Sequence, residues 1–258
     1  TRQPPCAWYG VECTISGRVS GILLSGNNVS GNLVDSAVVW GELMREIRLG
    51  NNRLTGTIPS GIFLHESLRV LDLRNNHLNG TLPTQYVTDA INTINLSNNS
   101  LTGTIPIELG KLHRLRNLHI EENQLTGTIP TELANMTSLE DFSIHRNRIN
   151  GTLPTNMGEL KYLEIINVRN NSLTGRVANS YGSSLKRLGF MDLSFNNFSG
   201  PLPLQLKNCK PDLIDTILID CGRMGINATA LDAKQCKRNE RCCLFCSETF
   251  QTYDEIVF

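Results

Sequence analysis

Apolar residues recur along this chain in short alternating runs, each followed by a polar turn. The pattern reads LxxLxLxxNxLxGxIP, and its hexapeptide LTGTIP is spelled identically at 54–59, 101–106 and 125–130. Eight copies follow one another at intervals of 23 to 25 residues. Agreement among eight copies predicts stacked structural repeats rather than a single globular core. The asparagine that marks each copy is found at Asn27, Asn52, Asn76, Asn99, Asn123, Asn147, Asn171 and Asn196.

Each letter of the repeat has its own physical reason. The alternation LxL predicts a short strand with two aliphatic side chains in the core, and successive strands would stack in parallel about 4.8 Å apart. The asparagine carries amide donors and a carbonyl acceptor, so it can bond the backbones of neighbouring turns when it is buried. The glycine permits a turn closed to other residues, and the proline ends the local pairing. One turn cannot bury its own apolar face, whereas stacked turns form a continuous core.

The LxGxIP half of the repeat resembles the plant-type leucine-rich repeat family, and the segment PPCAWYGVEC resembles the N-terminal cap of that family. The resemblance implies a right-handed solenoid of the α/β horseshoe class. A parallel β-sheet would form its concave face, irregular or 3-10 turns its convex face, and disulfide caps would close both ends. It also implies a bond between Cys6 and Cys13, with Trp8 lying over the open apolar end of the first turn.

We expect four segments along the chain. They are a partial N-terminal cysteine cap at 1–16, eight repeats at 17–208, a ninth half-repeat with a cysteine-rich cap at 209–247, and a tail or linker at 248–258.

The C-terminal segment departs from the repeat. Ile217 and Ile219 stand where a ninth LxL strand should fall, but no Asn–Gly half follows. The cysteine-dense end resembles closures of algal secreted and membrane proteins that carry such repeats. The number of possible pairings leaves the connectivity open. A zinc knuckle is the alternative, although a clean pair of CxxC motifs is lacking. The cysteines here are Cys209, Cys221, Cys236, Cys242, Cys243 and Cys246.

Cysteine placement and glycosylation sequons together favour an oxidising compartment. All eight cysteines lie near the two ends of the chain, as in secreted proteins with disulfide-closed ends. We therefore predict an extracellular or cell-surface location, with any leader or membrane anchor in segments outside this chain. The sequons are at Asn28, Asn79, Asn95, Asn98, Asn135, Asn150, Asn170, Asn197 and Asn227.

Charge excludes some classes of function. Lys plus Arg number 24 and Asp plus Glu number 24, so the chain lacks the basic surface of a nucleic-acid or membrane-surface binder. No Ser–His–Asp arrangement, HExxH motif or phosphate-binding glycine loop is found. We therefore expect no enzymatic activity, no metal and no cofactor.

The variable positions beside LxL are expected to line the concave face, and charge concentrates there in repeats five to seven. Such a mixed patch suits a peptide or protein ligand. The resemblance implies that Arg146, paired with Arg148 or Arg169, holds the terminal carboxylate of a peptide. The alternative is that these charges only neutralise one another on a solvated face. The candidate residues are His119, Glu121, Glu122, Asp141, His145, Arg146, Arg148 and Arg169.

The hypothesis favoured by the sequence is the recognition ectodomain of a receptor-like protein, with a peptide, a protein or a polysaccharide as ligand. The alternatives are a secreted inhibitor of a cell-wall hydrolase, similar to the polygalacturonase inhibitors, and a structural wall or adhesion protein. Ice binding ranks last, because it would require a flat row of matched Thr or Asn and the concave columns are heterogeneous.

Overall fold

The predicted parallel sheet is present and runs through the whole repeat region. The computed structural model describes residues 4–34, 43–87, 89–203, 206 and 216–219, together with the backbone of 243–246. Within these residues eleven short strands form one sheet, and each turn adds the next strand. The strands are β1 (Val11–Cys13), β2 (Val19–Leu23), β4 (Glu46–Arg48), β6 (Val70–Asp72), β8 (Thr93–Asn95), β10 (Asn117–His119), β11 (Asp141–Ser143), β13 (Ile165–Asn167), β15 (Phe190–Asp192), β17 (Thr216–Ile219) and β18 (Cys243–Cys246).

A second line of strands follows the consensus asparagines, and the sequence pattern did not predict it. These segments pair in parallel as one four-stranded and one three-stranded sheet. Two isolated bridges, Thr104 with Thr126 and Thr128 with Asn150, continue the pairing between them. We call these strands and bridges the second sheet. Its strands are β3 (Ser30–Asn32), β5 (Arg53–Thr57), β7 (His77–Thr81), β9 (Ser100–Thr102), β12 (Asn150–Thr152), β14 (Ser172–Gly175) and β16 (Asn197–Phe198).

The predicted 3-10 turns follow the proline of the repeat. Pro59, Pro106, Pro130 and Pro154 each stand in extended conformation directly before a helix. Their fixed φ and missing N–H suit this position, where the chain leaves the second sheet. The 3-10 helices are Pro5–Ala7, Ser60–Leu64, Ile107–Lys111, Thr131–Asn135 and Thr155–Glu159, and the short α-helix α1 (Ser180–Ser183) takes this place in the repeat of Asn171.

One continuous apolar core fills the solenoid from Met44 to Ile219. The aliphatic side chains of the LxL strands form the part of this core that lies against the concave sheet. Leu118 and Ile120, for example, are completely buried. Burying a side chain of this kind contributes about 1.5–3 kcal/mol. Each turn therefore depends on its neighbours for stability, as predicted from the repeat.

The consensus asparagines point inward and join adjacent turns. Asn76 is representative: its Nδ2 donates to the carbonyls of Leu49 and Leu73, both at 3.0 Å. Its Oδ1 accepts the N–H of Leu54 at 2.9 Å. The first copy differs, since Asn27 is exposed. The same inward arrangement recurs at Asn52, Asn99, Asn123, Asn147, Asn171 and Asn196.

The N-terminal cap contains the implied disulfide between Cys6 and Cys13, with the two Cα atoms 5.8 Å apart. Trp8 does not lie buried over the first turn, because 54% of it is exposed. Strand β1 instead pairs antiparallel with β2 and occupies the N-terminal edge of the sheet. This pairing protects the backbone groups of an edge that would otherwise be open.

At the C-terminal end, the predicted ninth strand is confirmed. Strand β17 continues the sheet beside β15, and Ile217 and Ile219 are fully buried. Strand β18 adds one more parallel strand beside β17, which the sequence pattern did not predict. The remaining C-terminal predictions lie outside the described residues: the cysteine side chains, the zinc alternative, Asn227 and the tail at 248–258. None of the helices in the described part of the chain has the length and apolar composition to cross a membrane.

Candidate ligand-binding patch on the concave sheet

Strand register aligns the variable side chains of the concave face into columns. His119 pairs with Asn95 on one side and Ser143 on the other, and Ser143 pairs with Asn167. These are the columns read from the repeat alignment. We number the turns by their consensus asparagines, so that Asn123 belongs to turn five. Turns five to seven carry the charged patch, which comprises His119, Glu121, Glu122, Asp141, His145, Arg146 and Arg169.

Arg148 lies apart from the charged patch. It follows the inward-pointing Asn147, and its N–H donates to the carbonyl of Leu125 at 2.8 Å. It thus occupies the position at which Arg53 begins β5 and His77 begins β7 on the second sheet. The resemblance implied a pair of Arg146 with Arg148 or with Arg169, but the consensus asparagine between Arg146 and Arg148 places these two on different surfaces.

A structural rule of the repeat is broken in turns five and six. In turns three, four, seven and eight an Asp or Asn at the end of the concave strand accepts the N–H two residues later, as Asp72 does from Arg74 at 3.2 Å. Turns one and two have Leu23 and Arg48 at this position. In turns five and six this position holds His119 and Ser143. Residues that give up a local structural role are candidates for function. The same acceptor contact is made by Asn95, Asn167 and Asp192.

A second rule of the repeat is broken in the same turns. Besides the consensus glycine, one concave position per turn has positive φ, and Asn or Gly usually fills it because their left-handed conformation is least strained. Glu122 and Arg146 hold this position in turns five and six, both with φ of 54°, and Phe195 holds it in turn eight with φ of 56°. Strain kept at such residues is typical of functional surfaces. The regular members are Gly26, Asn51, Asn75, Asn98 and Asn170.

His119 lies between two carboxylates of adjacent turns. Its Nε2 is 3.5 Å from Oδ2 of Asp141, and its Nδ1 is 3.7 Å from Oε1 of Glu121. Burial by itself lowers the pKa of His119, but the Glu121 contact and the Asp141 charge outweigh it, so the pKa is raised. Burial also raises the pKa of Asp141, which His119 and the Ser143 hydroxyl only partly offset.

Two polar atoms of the patch are buried without a partner. They are Oε2 of Glu121 and Nδ1 of His145. Burial lowers the pKa of His145, although the carboxylates of Glu121 and Glu122 pull the other way. Unpaired buried polar atoms are costly, so this arrangement is not optimised for the stability of the isolated chain.

Both arginines of the patch have acidic neighbours. Arg146 donates to Oε1 of Glu122 at 2.6 Å. The guanidinium of Arg169 lies 4.6 Å from the centre of the Phe195 ring and 3.8 Å from a carboxylate oxygen of Asp192. A ligand carboxylate could still approach them, but it would meet arginines that are already partly neutralised. Phe195 was absent from the predicted site, although its place in the asparagine column was a readable signal.

The sequons are mostly accessible. Asn95 is half-buried, and its Oδ1 accepts the N–H and hydroxyl of Ser97. Those with exposed side chains are Asn28, Asn79, Asn98, Asn135, Asn150, Asn170 and Asn197. In the described residues no group of three or more His, Cys, Asp or Glu side chains is arranged to hold a metal ion.

The comparisons with known proteins agree with this architecture. The sequence matches the Leucine Rich Repeat family over residues 44–64, 67–86, 90–112, 114–136 and 187–209. A solved pollen receptor kinase 3 is 32% identical, with 63% of this chain and 80% of that chain covered and a TM-score of 0.58. The chain belongs to the leucine-rich repeat family. The unmatched stretch between 136 and 187 contains turns six and seven, where much of the charged patch lies.

Two longer receptors are also similar. The PEPR1–AtPEP1 structure is 31% identical over 84% of this chain, with a TM-score of 0.73. The plant peptide hormone receptor RGFR1, solved in complex with RGF2, is 26% identical over 78% of this chain, with a TM-score of 0.72. This leucine-rich repeat chain spans about a third of each, since the matches cover 33% and 32% of those chains. No curated protein matches the chain.

Proposed function

We propose that this leucine-rich repeat chain is the extracellular ligand-binding module of a receptor-like protein and holds a peptide or protein against the charged patch. One observation carries the proposal: turns five and six abandon both structural rules that the other concave positions mostly follow. His119 and Ser143 give up the backbone-capping role, while Glu122 and Arg146 accept a left-handed backbone. Selection for stability alone would favour Asn at these positions.

The similarity to a plant peptide hormone receptor supports a peptide as the ligand class. The concave sheet is rigid and continuous, so a bound segment would meet side chains held at fixed strand spacing. Arg146 and Arg169 would contact acidic groups of the ligand, whereas the acidic centre of the patch would contact basic ones.

Differential capture tests the proposal. Extracellular peptides and proteins from the source organism are captured on the wild-type chain and on a variant with Arg146→Glu and Arg169→Glu. The matched control reverses two exposed arginines of the second sheet, Arg53→Glu and Arg148→Glu, and so makes the same change in net charge. We expect a specific ligand to be lost only with the patch variant, while circular dichroism shows both variants folded. Equal retention by both variants would refute the patch.

The same experiment separates the competing functions. Recovery of a glycan hydrolase that is inhibited by the chain would favour the inhibitor hypothesis. Binding to wall polysaccharide that persists after reversal of both patch arginines would favour a structural role.

A second candidate function, ice binding, is favoured by one specific observation on the second sheet. Between neighbouring strands one exposed pair consists of threonines or asparagines, while the adjacent pair includes Arg53, His77, Ser100 or Ser172. Thr and Asn are matched on this face, whereas the concave columns are heterogeneous. The exposed pairs are Thr57 with Asn79, Thr81 with Thr102, Thr104 with Thr126, Thr128 with Asn150, and Thr152 with Thr174.

The threonines of this row that directly follow a consensus glycine share one orientation. A Cβ built on Gly103 would lie 2.8 Å from the methyl carbon of Thr81, and one on Gly127 would lie 2.7 Å from that of Thr104. Each methyl group therefore rests over the glycine of the next turn, and the stiff β-branched side chains present their hydroxyls alike. A rigid, periodic row of hydroxyls can order water into positions that continue an ice lattice. Arg53 and Arg148 lie at one edge of the row.

Inhibition of ice recrystallisation tests this candidate. The wild-type chain is compared with Thr104→Lys plus Thr128→Lys, which interrupts the centre of the row. The control places the same two lysines at Thr131 and Thr155, exposed threonines of the 3-10 helices. Inhibition lost only in the first variant would support ice binding, and a wild-type chain without effect would exclude it.

A further inference from the structure

The centre of the charged patch is more acidic than its rim. Arg146 is engaged by Glu122 at 2.6 Å, and Arg169 lies over the ring of Phe195. Glu121 and Asp141 have only His119 as a basic neighbour at ion-pair distance in the described residues. Their side chains are only 14% and 17% exposed, so water solvates them incompletely.

The imidazole of His119 cannot serve both carboxylates while it is neutral. A neutral ring has one N–H, whereas the protonated ring has two and could donate to Glu121 and to Asp141. The separations of 3.7 and 3.5 Å are longer than good charge-assisted hydrogen bonds. One positive charge between Glu121 and Asp141 would therefore be favourable. Either a proton on His119 or a cationic group of the ligand can supply it.

We propose that Glu121 and Asp141 form a subsite for a cationic group of the ligand, a primary ammonium or a guanidinium, and that the proton of His119 competes with this group. The inference rests on the proposed function and assigns the chemistry of one part of the same patch. The cation is organic, because the described residues offer no cluster of three metal-ligating side chains.

Besides Glu121 and Asp141, the described charged group that acts on His119 is Arg74. Arg74 of turn three opposes protonation of His119, but it is 3.6 Å from Asp72, which partly neutralises it. Asn95 and Ser143, the flanking members of the same column, are uncharged. Protonation of Asp141 in acid would also weaken cation binding.

The sign of the pH dependence follows. The carboxylates raise the pKa of His119 in the free chain, and a bound cation would oppose protonation and lower that pKa again. Binding therefore releases a proton in the interval between the two pKa values, and affinity for the cation rises with pH across it.

The probe for the test is N-acetyl-lysine methylamide, titrated into the full chain and followed by NMR through the backbone amide signals of the patch, together with the His119 ring signals in the chains that keep this residue. The neutral N-acetyl-norleucine methylamide serves as control ligand. We expect saturable binding of the lysine probe that is about tenfold tighter at pH 8 than at pH 5, the change that corresponds to one pKa unit. Glu121→Gln and Asp141→Asn should each abolish it.

Two further variants make the test specific. His119→Asn places in turn five the residue that turn four has at Asn95, so it is expected to fold. It should keep the binding of the lysine probe but lose most of the pH dependence. Glu132→Gln, an exposed acid on a 3-10 helix, should change nothing. Equal binding of the norleucine probe, or an unchanged pH profile in His119→Asn, would overturn the proposal.

Failure of the cation subsite and failure of the proposed function give different results. If the lysine probe binds as expected while natural ligands are retained by the Arg146/Arg169 variant, the subsite stands and the wider patch fails. If the probe does not bind but natural ligands are lost with that variant, the patch stands and the cation subsite is refuted.

Discussion

Arg146 donates to Glu122 across a gap of 2.6 Å between turns five and six, at the position where earlier turns join their asparagines by amide hydrogen bonds. In those turns Nδ2 of Asn75 donates to Oδ1 of Asn51, and Nδ2 of Asn98 donates to Oδ1 of Asn75. The ion pair continues this ladder between turns, but with two residues that have no intrinsic preference for positive φ. The chain thus keeps charge at this place at the expense of backbone conformation.

We predict that Glu122→Asn with Arg146→Asn raises the stability of the chain. A left-handed backbone costs a residue with a Cβ roughly 1–2 kcal/mol, and Asn tolerates it better. The exposed ion pair contributes about 0–1 kcal/mol. We therefore expect a net gain of about 1 kcal/mol in the free energy of unfolding, measured by urea denaturation.

The reverse substitution is the matched control for this prediction. Asn170→Glu introduces the strain into turn seven and should destabilise the chain by about 1 kcal/mol. A loss of stability in the double asparagine variant would mean that the ion pair outweighs the strain, and that turns five and six are optimised for folding rather than binding.

Most of the fold was predictable because it is encoded once per turn. The strands, the inward asparagines and the ninth strand at Ile217 depend on periodic side-chain patterns. The second sheet was not predicted, since its TGT segments lack apolar alternation and pair only when stacking brings turns together. Strand β18 was not predicted either, because it lies outside the repeat and is recognised only by its pairing with β17.

The candidate site was predictable in its composition but not in its pairings. Charged residues on the concave columns could be read from the alignment. The position of Arg148 could not be inferred from its proximity to Arg146, because the intervening Asn147 turns inward and separates the two surfaces. The role of Ser143 became visible only when the backbone contacts of Asp72 and Asn95 at the equivalent position were known, whereas Phe195 was readable from the asparagine column.

We predict that the consensus asparagines contribute unequally along the solenoid. Asn123→Ala removes the acceptor of the buried N–H of Leu101 and one of the donors to the carbonyl of Leu96, which keeps Nδ2 of Asn99 as a partner. An unpaired buried N–H costs about 1–3 kcal/mol, so we expect a loss of about 2 kcal/mol. Asn27→Ala, at the exposed first copy, should cost less than about 1 kcal/mol. Denaturation with urea measures both, and equal losses would contradict the inward role assigned to Asn123.

We predict opposite pH effects for the two histidines of the patch. The raised pKa of His119 means that the folded chain binds its proton more tightly than the unfolded chain. This contribution to stability is present below the unfolded pKa and is lost as the pH rises through the folded pKa. The lowered pKa of His145 has the opposite effect, so its contribution favours the folded state as the pH rises.

The measurement is the free energy of unfolding of the wild type, His119→Asn and His145→Asn from about pH 5 to about pH 8, the range in which histidines titrate. The advantage of wild type over His119→Asn should grow as the pH falls. The difference between wild type and His145→Asn should change in the opposite sense. Parallel pH profiles for the two variants would contradict the opposite pKa shifts assigned to His119 and His145.

The last prediction concerns the contact between Gly127 and Thr104 on the second sheet. Gly127 has φ of +75°, and a Cβ there would lie 2.7 Å from the methyl carbon of Thr104. Gly127→Ala should therefore combine backbone strain of about 1–2 kcal/mol with a steric clash. Thr104→Ser removes the methyl group and keeps the hydroxyl, so Gly127→Ala should be less harmful in that background, with a coupling of about 0.5–3 kcal/mol.

Thermal or urea denaturation of the wild type, the two single variants and the double variant measures this coupling. Because the φ strain is independent of the neighbour, the double variant should stay less stable than Thr104→Ser alone. Full additivity would show that the methyl group does not rest on the glycine, and the shared orientation of the threonine row would lose its physical basis.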